Sequence, residues 1–357
     1  MHLSEVLSCI KPVDMSAADA CIAKFDEVAK PLGSLGKLEK LLARIAAVSR
    51  TTDIDIGRKA VAVFCADNGV VRRGVAQGGQ EITTAVAGML GIGKASVCVM
   101  AKSCGAEVFN IDIGMADTVN GLRDCKLMHG TDDMTEGPAM NRETAEKAVI
   151  IGIEMVKELM DKGYGLIATG EAGTGNTTTS SAVCAVLLGR SVREVTGRGA
   201  GLSYEGLNRK LAAIEQAISV NQPNPSDPME VLYKLGGLDI AAMTGVFIGG
   251  ALYKIPIVMD GFISGAAALI AVRLCPDVKG YILPSHGSDE PGARFVLDEL
   301  GFFPIIQAGM RLGEGTGAVA LFPLLDMALS VYRDAATFAD IQVEQYKRPT
   351  FQVKFDD

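Results

Sequence analysis

The sequence has no tryptophan and few histidines. Its three histidines, His2, His129 and His286, lie far apart in the chain, so they are poorly placed to bind one metal ion together. Its eight cysteines include no C-x-x-C pair, and we expect them to be reduced. Because a zinc site needs several histidine or cysteine ligands at suitable spacing, we expect neither a metal nor a cofactor. The chemistry should then come from carboxylates, hydroxyls and backbone groups.

Positive charge is also sparse. Lysine and arginine number 34 against 42 acidic residues, the net charge is -8, and no basic run stands out. This balance argues against nucleic acid or an anionic membrane as a partner. The most apolar segments are interrupted by Asp260, or by Pro323 and Asp326, which argues against a membrane-spanning helix. We therefore expect a cytoplasmic protein that binds small molecules.

The hydrophobic pattern predicts an α/β fold. Residues 1–50 have helical spacing, whereas from residue 58 short β-branched runs alternate with helical patterns, which predicts βα units and a parallel sheet. Helices are expected at 36–49, 143–162, 205–220 and 238–252, and strands at 60–66, 106–113, 165–169, 255–259, 281–284 and 303–306.

Small or carboxylate residues follow each predicted strand. In open α/β sheets, ligands bind beyond the carboxyl ends of the strands, so we expect these loops to converge on one crevice. The residues are Asp67, Gly114, Glu171 after Gly170, Asp260 with Gly261, the stretch 285–288 and the stretch 307–314.

Two glycine-rich stretches carry most of the chemical signal. Residues 170–181 contain glycines followed by hydroxyl residues at a predicted helix start, which suits a phosphate cradle. Residues 307–318 combine one cation, Arg311, with one carboxylate, Glu314. Neither stretch has the G-x-G-x-x-G or Walker A spacing, so a nucleotide-dependent oxidoreductase is not supported. Each could also be a turn followed by an ordinary helix start.

The remaining motifs are less specific. Residues 197–201 could approach a ligand closely or merely link two helices, Lys210 is by default a solvated lysine, and Asp67-Asn68-Gly69 is common turn chemistry. Residues 285–292 hold a serine, a histidine and acids, but the chain has no G-x-S-x-G elbow, which argues against a hydrolase.

Taken together, these stretches resemble the nicotinate-nucleotide:dimethylbenzimidazole phosphoribosyltransferase family, which makes the lower-ligand nucleotide of cobamides. The matching segments follow one order along nearly the whole chain. They are 31–39, 66–70, 170–179, 197–202, 258–262, 285–292 and 311–317.

The resemblance implies a Rossmann-like parallel-sheet domain at 58–334, a small helical domain built from 1–57 and 335–357, and a homodimer. It implies phosphoribosyl transfer from nicotinate mononucleotide to a lower-ligand base such as 5,6-dimethylbenzimidazole, with Glu314 as the general base. Its nucleotide- and phosphate-binding residues would be Gly173, Gly175, Asn176, Thr177, Gly199, Ala200, Gly201, Lys210, Asp260, Ser288 and Arg311, and its acceptor-base residues Asp67, Gln80, Glu171, Ala172, Thr174 and Leu312.

Two departures from the family pattern concern the acceptor base. Asn68 stands where members often have histidine, and Ala172 and Thr174 stand where they have larger apolar residues. Relatives also attach purines, other benzimidazoles or phenolic acceptors. Two alternatives therefore stay open: a phenol or p-cresol phosphoribosyltransferase subunit of a heterodimer, and a non-catalytic binding subunit of such a heterodimer.

Overall fold

The computed structural model describes residues 2–347 and contains one parallel sheet of six strands. The strand order is β3-β2-β1-β4-β5-β6, which is the doubly wound order of Rossmann-type folds. The order reverses between β1 and β4, so the connections on the two sides of this pair diverge and leave a crevice. The predicted α/β fold is confirmed. The strands are β1 Arg58–Ala66, β2 Ala106–Gly114, β3 Arg123–Asp124, β4 Tyr164–Ala172, β5 Ile257–Met259 and β6 Ile282–Pro284.

Helices cover both faces of the sheet. The predicted helices at 36–49, 143–162, 205–220 and 238–252 correspond to α3, α6, α9 and α11. Within the described residues the α-helices are α1 Leu3–Cys9, α2 Met15–Glu27, α3 Lys37–Ser49, α4 Glu81–Gly91, α5 Ser96–Ser103, α6 Arg142–Asp161, α7 Asn176–Leu188, α8 Val192–Val195, α9 Tyr204–Asn221, α10 Pro228–Leu235, α11 Leu238–Tyr253, α12 Phe262–Leu274, α13 Pro291–Leu300 and α14 Thr316–Asp334.

Five of the six predicted strands are confirmed, and the one at 303–306 is wrong. That segment makes a single parallel bridge, between His286 and Ile306. Pro304 has no amide hydrogen, so it cannot donate to a continuous ladder. Strand β3 was not predicted, because two residues are too short to show an alternating pattern.

The sheet is buried on both faces, as a parallel sheet requires. Alternate residues of β1 enter two hydrophobic clusters: Ala60, Ala62 and Phe64 pack with α6, α7, α11 and α12, whereas Val61 and Val63 pack with α2, α3 and α14. The continuous apolar run in β1 therefore reflects burial from both sides. Of the eight free cysteines, Cys21, Cys65 and Cys184 are buried and Cys9 is exposed.

The N- and C-terminal segments meet at one side of the fold. Val28 and Thr337 form an antiparallel bridge, and the Phe338 N–H donates to the Glu27 carbonyl over 2.9 Å. The division into domains at residues 57 and 335 stays a prediction. Residue 1 and residues 348–357 of the predicted small domain lie outside the described residues.

Helices α4 and α5 carry an apolar surface. Among the described residues, the stretch Glu81–Ser103 is the one helical stretch that is long and apolar enough to cross a membrane, judged by length and composition alone. It consists of α4 and α5, which are separated by residues 92–95. Ile92 is 60% exposed and Val99 is 61% exposed. This pair of helices therefore presents an uncovered apolar face next to the crevice.

Candidate active site

A cavity of about 470 Å³ lies at the carboxyl ends of the strands, next to the point where the strand order reverses. Its size is that of a site for a small molecule. Loops and helix starts that follow β1, β4, β5 and β6 all contribute to its wall, whereas Gly114 and the loop after β2 do not, so the predicted convergence is confirmed for the other loops only. The predicted site residues on its wall are Gly173, Gly175, Asn176, Thr177, Gly199, Ala200, Asp260, Ser288, Arg311, Glu314, Glu171, Ala172, Thr174 and Leu312.

Four predicted site residues do not line this cavity. Lys210 is fully buried behind it, and its Nζ donates to Thr177 Oγ1 over 2.8 Å. The Gly201 carbonyl accepts a hydrogen bond from Gln77 at the rim, and Asp67 lies buried behind Thr83. Gln80 lies on the loop before α4, outside the wall of the cavity.

One end of the cavity is rich in hydrogen-bond donors. Helix α7 begins there at Asn176, after Gly175 in the left-handed conformation with φ 89°. The N–H groups of Asn176 and Thr178 donate to the Gly173 and Gly175 carbonyls. The Thr177 N–H has no backbone acceptor among the described residues, so it can donate to an anion. A Cβ at Gly173 would collide with the Ala66 carbonyl, so only glycine lets this loop pass so close to the end of β1. Thr177, Ser288 and Arg311 border the same end.

Lys210 supplies a buried cation beneath this donor-rich end. Burial lowers the pKa of Lys210 to about 8, and the nearby carboxylate of Glu290 acts in the opposite direction. Glu290 Oε2 has no hydrogen-bond partner in the described part of the chain. A bound phosphate would add a further counter-charge to this lysine, which is fully buried.

Glu314 lies on the loop that precedes α14. It adopts a left-handed conformation with φ 62°, between Gly313 and Gly315 with φ 89° and 90°. A non-glycine residue in this conformation is strained and is held there by its surroundings. Its Oε2 accepts the backbone N–H of Val97 over 3.0 Å, at the start of α5. This hydrogen bond holds the side chain of Glu314 in place at the wall of the cavity.

A second carboxyl group, that of Glu171, lies beside Glu314. The Glu314 N–H donates to the Glu171 carbonyl over 3.2 Å, which ties the two loops together. Burial raises the pKa of Glu171 well above its ordinary value, and the carboxylates of Asp239 and Asp260 add to this effect. The Asn176 amide donates to Glu171 Oε2. Burial likewise raises the pKa of Asp239 to about 6.

Asp260 holds the first turn of α14, the helix that follows the loop carrying Glu314. Its Oδ1 accepts the backbone N–H of Ala318 over 2.9 Å, in the first turn of α14. His286 Nδ1 lies 4.0 Å from the same oxygen. Burial raises the pKa of Asp260, whereas His286 acts against that shift. Ser285 donates to the Met259 carbonyl over 2.6 Å, so its hydroxyl makes a structural bond next to His286.

The comparisons with known proteins agree with this geometry. The sequence profile of a family described as Phosphoribosyltransferase matches residues 10–343. The chain belongs to this phosphoribosyltransferase family. Phosphoribosyl transfer, the predicted class of reaction, is thereby confirmed.

Relatives within the family match the chain over nearly its whole length. The nicotinate-nucleotide–dimethylbenzimidazole phosphoribosyltransferase of Ruminiclostridium cellulolyticum is 42% identical and covers 97% of this chain and 99% of its own. The protein of the same name from Acetivibrio thermocellus is 44% identical, with the same coverage. A solved structure of CobT from Thermus thermophilus has a TM-score of 0.88 at 35% identity and covers 93% of this chain and 100% of its own.

Several lining residues of this phosphoribosyltransferase were missed by sequence reasoning. Ile82, Thr83 and Val86 line the cavity from the first turns of α4, and Phe262 lines it from the start of α12. Their i, i+1 and i+4 spacing after Gly78-Gly79 marks a helix start but carries no catalytic residue type. Arg198 also lines the cavity, on the loop at 197–201 that the sequence left undecided.

The buried Glu171 generates a prediction about stability and pH. Its pKa in the folded protein is raised, so its proton stabilises the fold at low pH and that stabilisation is lost as pH rises from about 4.3 through the raised pKa. Replacing it by Gln keeps the shape and removes this dependence. The free energy of unfolding of E171Q minus that of the unmodified protein should grow with pH, by up to about 1.4 kcal/mol per unit of pH within that window.

Urea titrations at several pH values measure this difference. Glu143→Gln is the matched control, because Glu143 is exposed on α6 and its pKa is lowered by Lys147. The difference for E143Q should not grow with pH. A flat difference for E171Q would show that Glu171 ionises normally in the folded protein.

Proposed function

We propose that this chain transfers the phosphoribosyl group of nicotinate mononucleotide to a lower-ligand base such as 5,6-dimethylbenzimidazole. The products are the α-ribazole phosphate and nicotinate, for assembly of the cobamide nucleotide loop. The observation that carries the proposal is the position of Glu314 in a cavity with donors at one end and apolar side chains at the other. The names and close similarity of the relatives support the same reaction.

The donor-rich end suits the phosphate and ribose of the nucleotide. The start of α7, Thr177 and Ser288 offer N–H and O–H donors, and Lys210 and Arg311 offer positive charge. Charge-assisted donors of this kind are what a phosphate requires. Gly199 and Ala200 have small side chains, so a ligand can come close to their backbone. Together with Gly201 they form the rim of the cavity at this end. The Asp260 carboxylate would repel a phosphate and suits a ribose hydroxyl instead.

The apolar end suits a flat aromatic base. Ile82, Val86 and Ala172 supply apolar surface, and Leu312 lines the same cavity as Glu314. In the reaction, the bond between the anomeric carbon and the nicotinate nitrogen breaks, and a bond from that carbon to the ring nitrogen of the base forms. Glu314 takes the N–H proton of the base, which makes the nitrogen more nucleophilic. Its charge also stabilises the cationic, oxocarbenium-like transition state.

The side chains around the base favour relaxed selectivity. Ala172 leaves more room than a larger apolar residue would, and Thr174 adds a hydroxyl to the wall. One methyl group in an apolar pocket is worth only about 1 to 3 kcal/mol. Dimethylbenzimidazole should thus remain a substrate even if a purine or a phenolic base is also used. Gln80 and Asp67 stand behind this wall, and a role for them in contacting the base stays a proposal.

We propose that the protein is a homodimer in which two copies of the chain cover each other's exposed apolar face of α4 and α5. We also propose that it is cytoplasmic. Ile92 and Val99 lie on that face, and Ile82 of α4 also lines the cavity, so the face adjoins the site. A heterodimer with a second, unlike subunit, acting on phenol or p-cresol or using this chain only for binding, is the alternative. Activity of the isolated chain would separate these cases, because a non-catalytic subunit releases no nicotinate alone.

Replacing Glu314 by Gln should lower turnover by about 10² to 10⁴-fold, because only the proton acceptor is lost. Nicotinate mononucleotide should still bind with nearly unchanged affinity. The isolated protein is incubated with nicotinate mononucleotide and dimethylbenzimidazole, products are measured by mass spectrometry, and binding is measured by calorimetry. Glu215→Gln, an exposed change on α9, is the control and should keep full activity. Near-normal turnover of E314Q would exclude Glu314 as the general base.

Lys210→Ala and Ser288→Ala should weaken the binding of nicotinate mononucleotide at least tenfold while leaving base binding nearly unchanged. The reason is that a phosphate needs charge-assisted donors, each worth about 1.5 to 3 kcal/mol, whereas a neutral base does not. Separate calorimetric titrations with the nucleotide and with dimethylbenzimidazole test this, with Lys147→Ala, an exposed residue of α6, as the control. Equal loss of both affinities would mean that Lys210 and Ser288 have only a structural role.

A further inference from the structure

Four polar residues lie together beside the apolar end of the cavity, and hydrogen bonds join three of them. Thr83 Oγ1 accepts the backbone N–H of Thr174 over 2.9 Å, and the two threonine hydroxyl oxygens lie 3.0 Å apart. Asn68 Nδ2 donates to the Thr174 carbonyl over 3.2 Å, which fixes the backbone of Thr174. Behind Thr83 lies the carboxyl group of Asp67, which is fully buried.

The carboxyl group determines the direction in which the hydroxyl protons point. Asp67 Oδ2 accepts the backbone N–H of Ala116 over 2.8 Å, whereas Oδ1 has no hydrogen-bond partner among residues 2–347. Thr83 provides the side-chain hydroxyl that faces this carboxyl group. A carboxylate can only accept hydrogen bonds, and a buried acceptor without a donor is costly. The structure shows no hydrogen bond between Thr83 and Asp67, but Thr83 is the neighbouring hydroxyl that can turn its proton toward the unpartnered Oδ1.

With its own proton directed at Asp67, Thr83 can only accept from Thr174. Its oxygen then receives both the N–H and the O–H of Thr174, whose hydroxyl proton is used in this bond. Thr174 is only half-buried and lines the cavity, so its oxygen presents free lone pairs to a ligand. Among the described residues, Thr83 is the only hydrogen-bond partner of this hydroxyl.

We propose that Asp67, Thr83 and Thr174 make this wall of the cavity a hydrogen-bond acceptor, and that it selects aromatic bases carrying a donor at the facing edge. The preferred class is a benzimidazole with an exocyclic hydroxyl or amino group. The inference rests on the proposed function, because it concerns the base that receives the phosphoribosyl group. Thr83 is thereby a specificity-determining residue, although it offers the ligand no hydrogen bond of its own.

Two matched bases distinguish the effect of the O–H proton on selectivity from the effect of the oxygen that carries it. The pair is 5-hydroxybenzimidazole and 5-methoxybenzimidazole, which share the ring and the oxygen and differ in the O–H proton. Competition between them for nicotinate mononucleotide gives the ratio of their kcat/KM values. The ratio should favour the hydroxy base by about 5 to 30-fold, the size expected when one neutral hydrogen bond is lost and an acceptor is left unpaired.

Thr174→Val should bring this ratio close to one, because valine keeps the shape and removes the oxygen. Thr174→Ser should restore the preference for the hydroxy base. Thr84→Val is the matched control: Thr84 is the next residue of α4, and its hydroxyl donates to Asp117, outside the cavity. Its ratio should equal that of the unmodified protein.

Asp67→Asn provides the sharpest test, because it should reverse the preference. The Ala116 N–H requires an oxygen at the position of Oδ2, so the new NH₂ group takes the position of Oδ1, the atom that we infer attracts the Thr83 proton. Thr83 then accepts from this NH₂ group and donates to Thr174, which leaves the Thr174 proton free to point into the cavity. The variant should favour the methoxy base over the hydroxy base.

The outcomes distinguish this inference from the proposed function. No transfer to either base by the unmodified protein would contradict the proposed function itself. Transfer with a ratio near one, or with a preference for the methoxy base, would overturn the inference and leave the function standing. An unchanged ratio in Thr174→Val would also overturn it, because the selecting group would then lie elsewhere.

Discussion

The site depends on a contact between two backbones that only glycine permits. A Cβ at Gly170, near the end of β4, would collide with the carbonyl of Glu314, and Gly315 packs closely against Thr169 and Gly170. This contact brings the loop before α14 onto the carboxyl end of β4. Glu314 thereby comes next to Glu171, and the Glu314 N–H donates to the Glu171 carbonyl. The strained backbone of Glu314 is held by the same packing.

The contact also sets the distribution of charge around the cavity. Glu314 accepts a helix N-terminal N–H from α5, whereas Glu171 lies buried beside Asp239 and Asp260. Burial and the two neighbouring carboxylates raise the pKa of Glu171 and so favour its protonated form. Lys210 lies buried beyond Thr177, at the donor-rich end. Glu314 is the acid that we propose takes the proton of the base, and the buried lysine lies at the end proposed for the phosphate.

Much of this arrangement could be predicted from the sequence, for a definite reason. In a doubly wound sheet the loops at the carboxyl ends of the strands meet, so the small and acidic residues after β1, β4, β5 and β6 could be assigned to one crevice. The resemblance to a known family then supplied roles for them. Contacts between distant segments could not be predicted: neither the bond from Val97 to Glu314 nor the pairing of Thr83 with Thr174 has a local pattern. Lys210 could not be told apart from a solvated helical lysine, because its burial depends on tertiary packing. The expected strand at 303–306 is absent because Pro304 has no N–H to donate, which a hydrophobic pattern does not show.

In the proposed reaction, phosphate and base occupy opposite ends of one cavity, with Glu314 between them. A crystal structure of the protein soaked with nicotinate mononucleotide tests this arrangement. We expect the phosphate within hydrogen-bond distance of Ser288 and of the start of α7, next to the buried Lys210, with the anomeric carbon facing Glu314. A phosphate beside Thr83 and Val86, or a nucleotide bound outside this cavity, would contradict it.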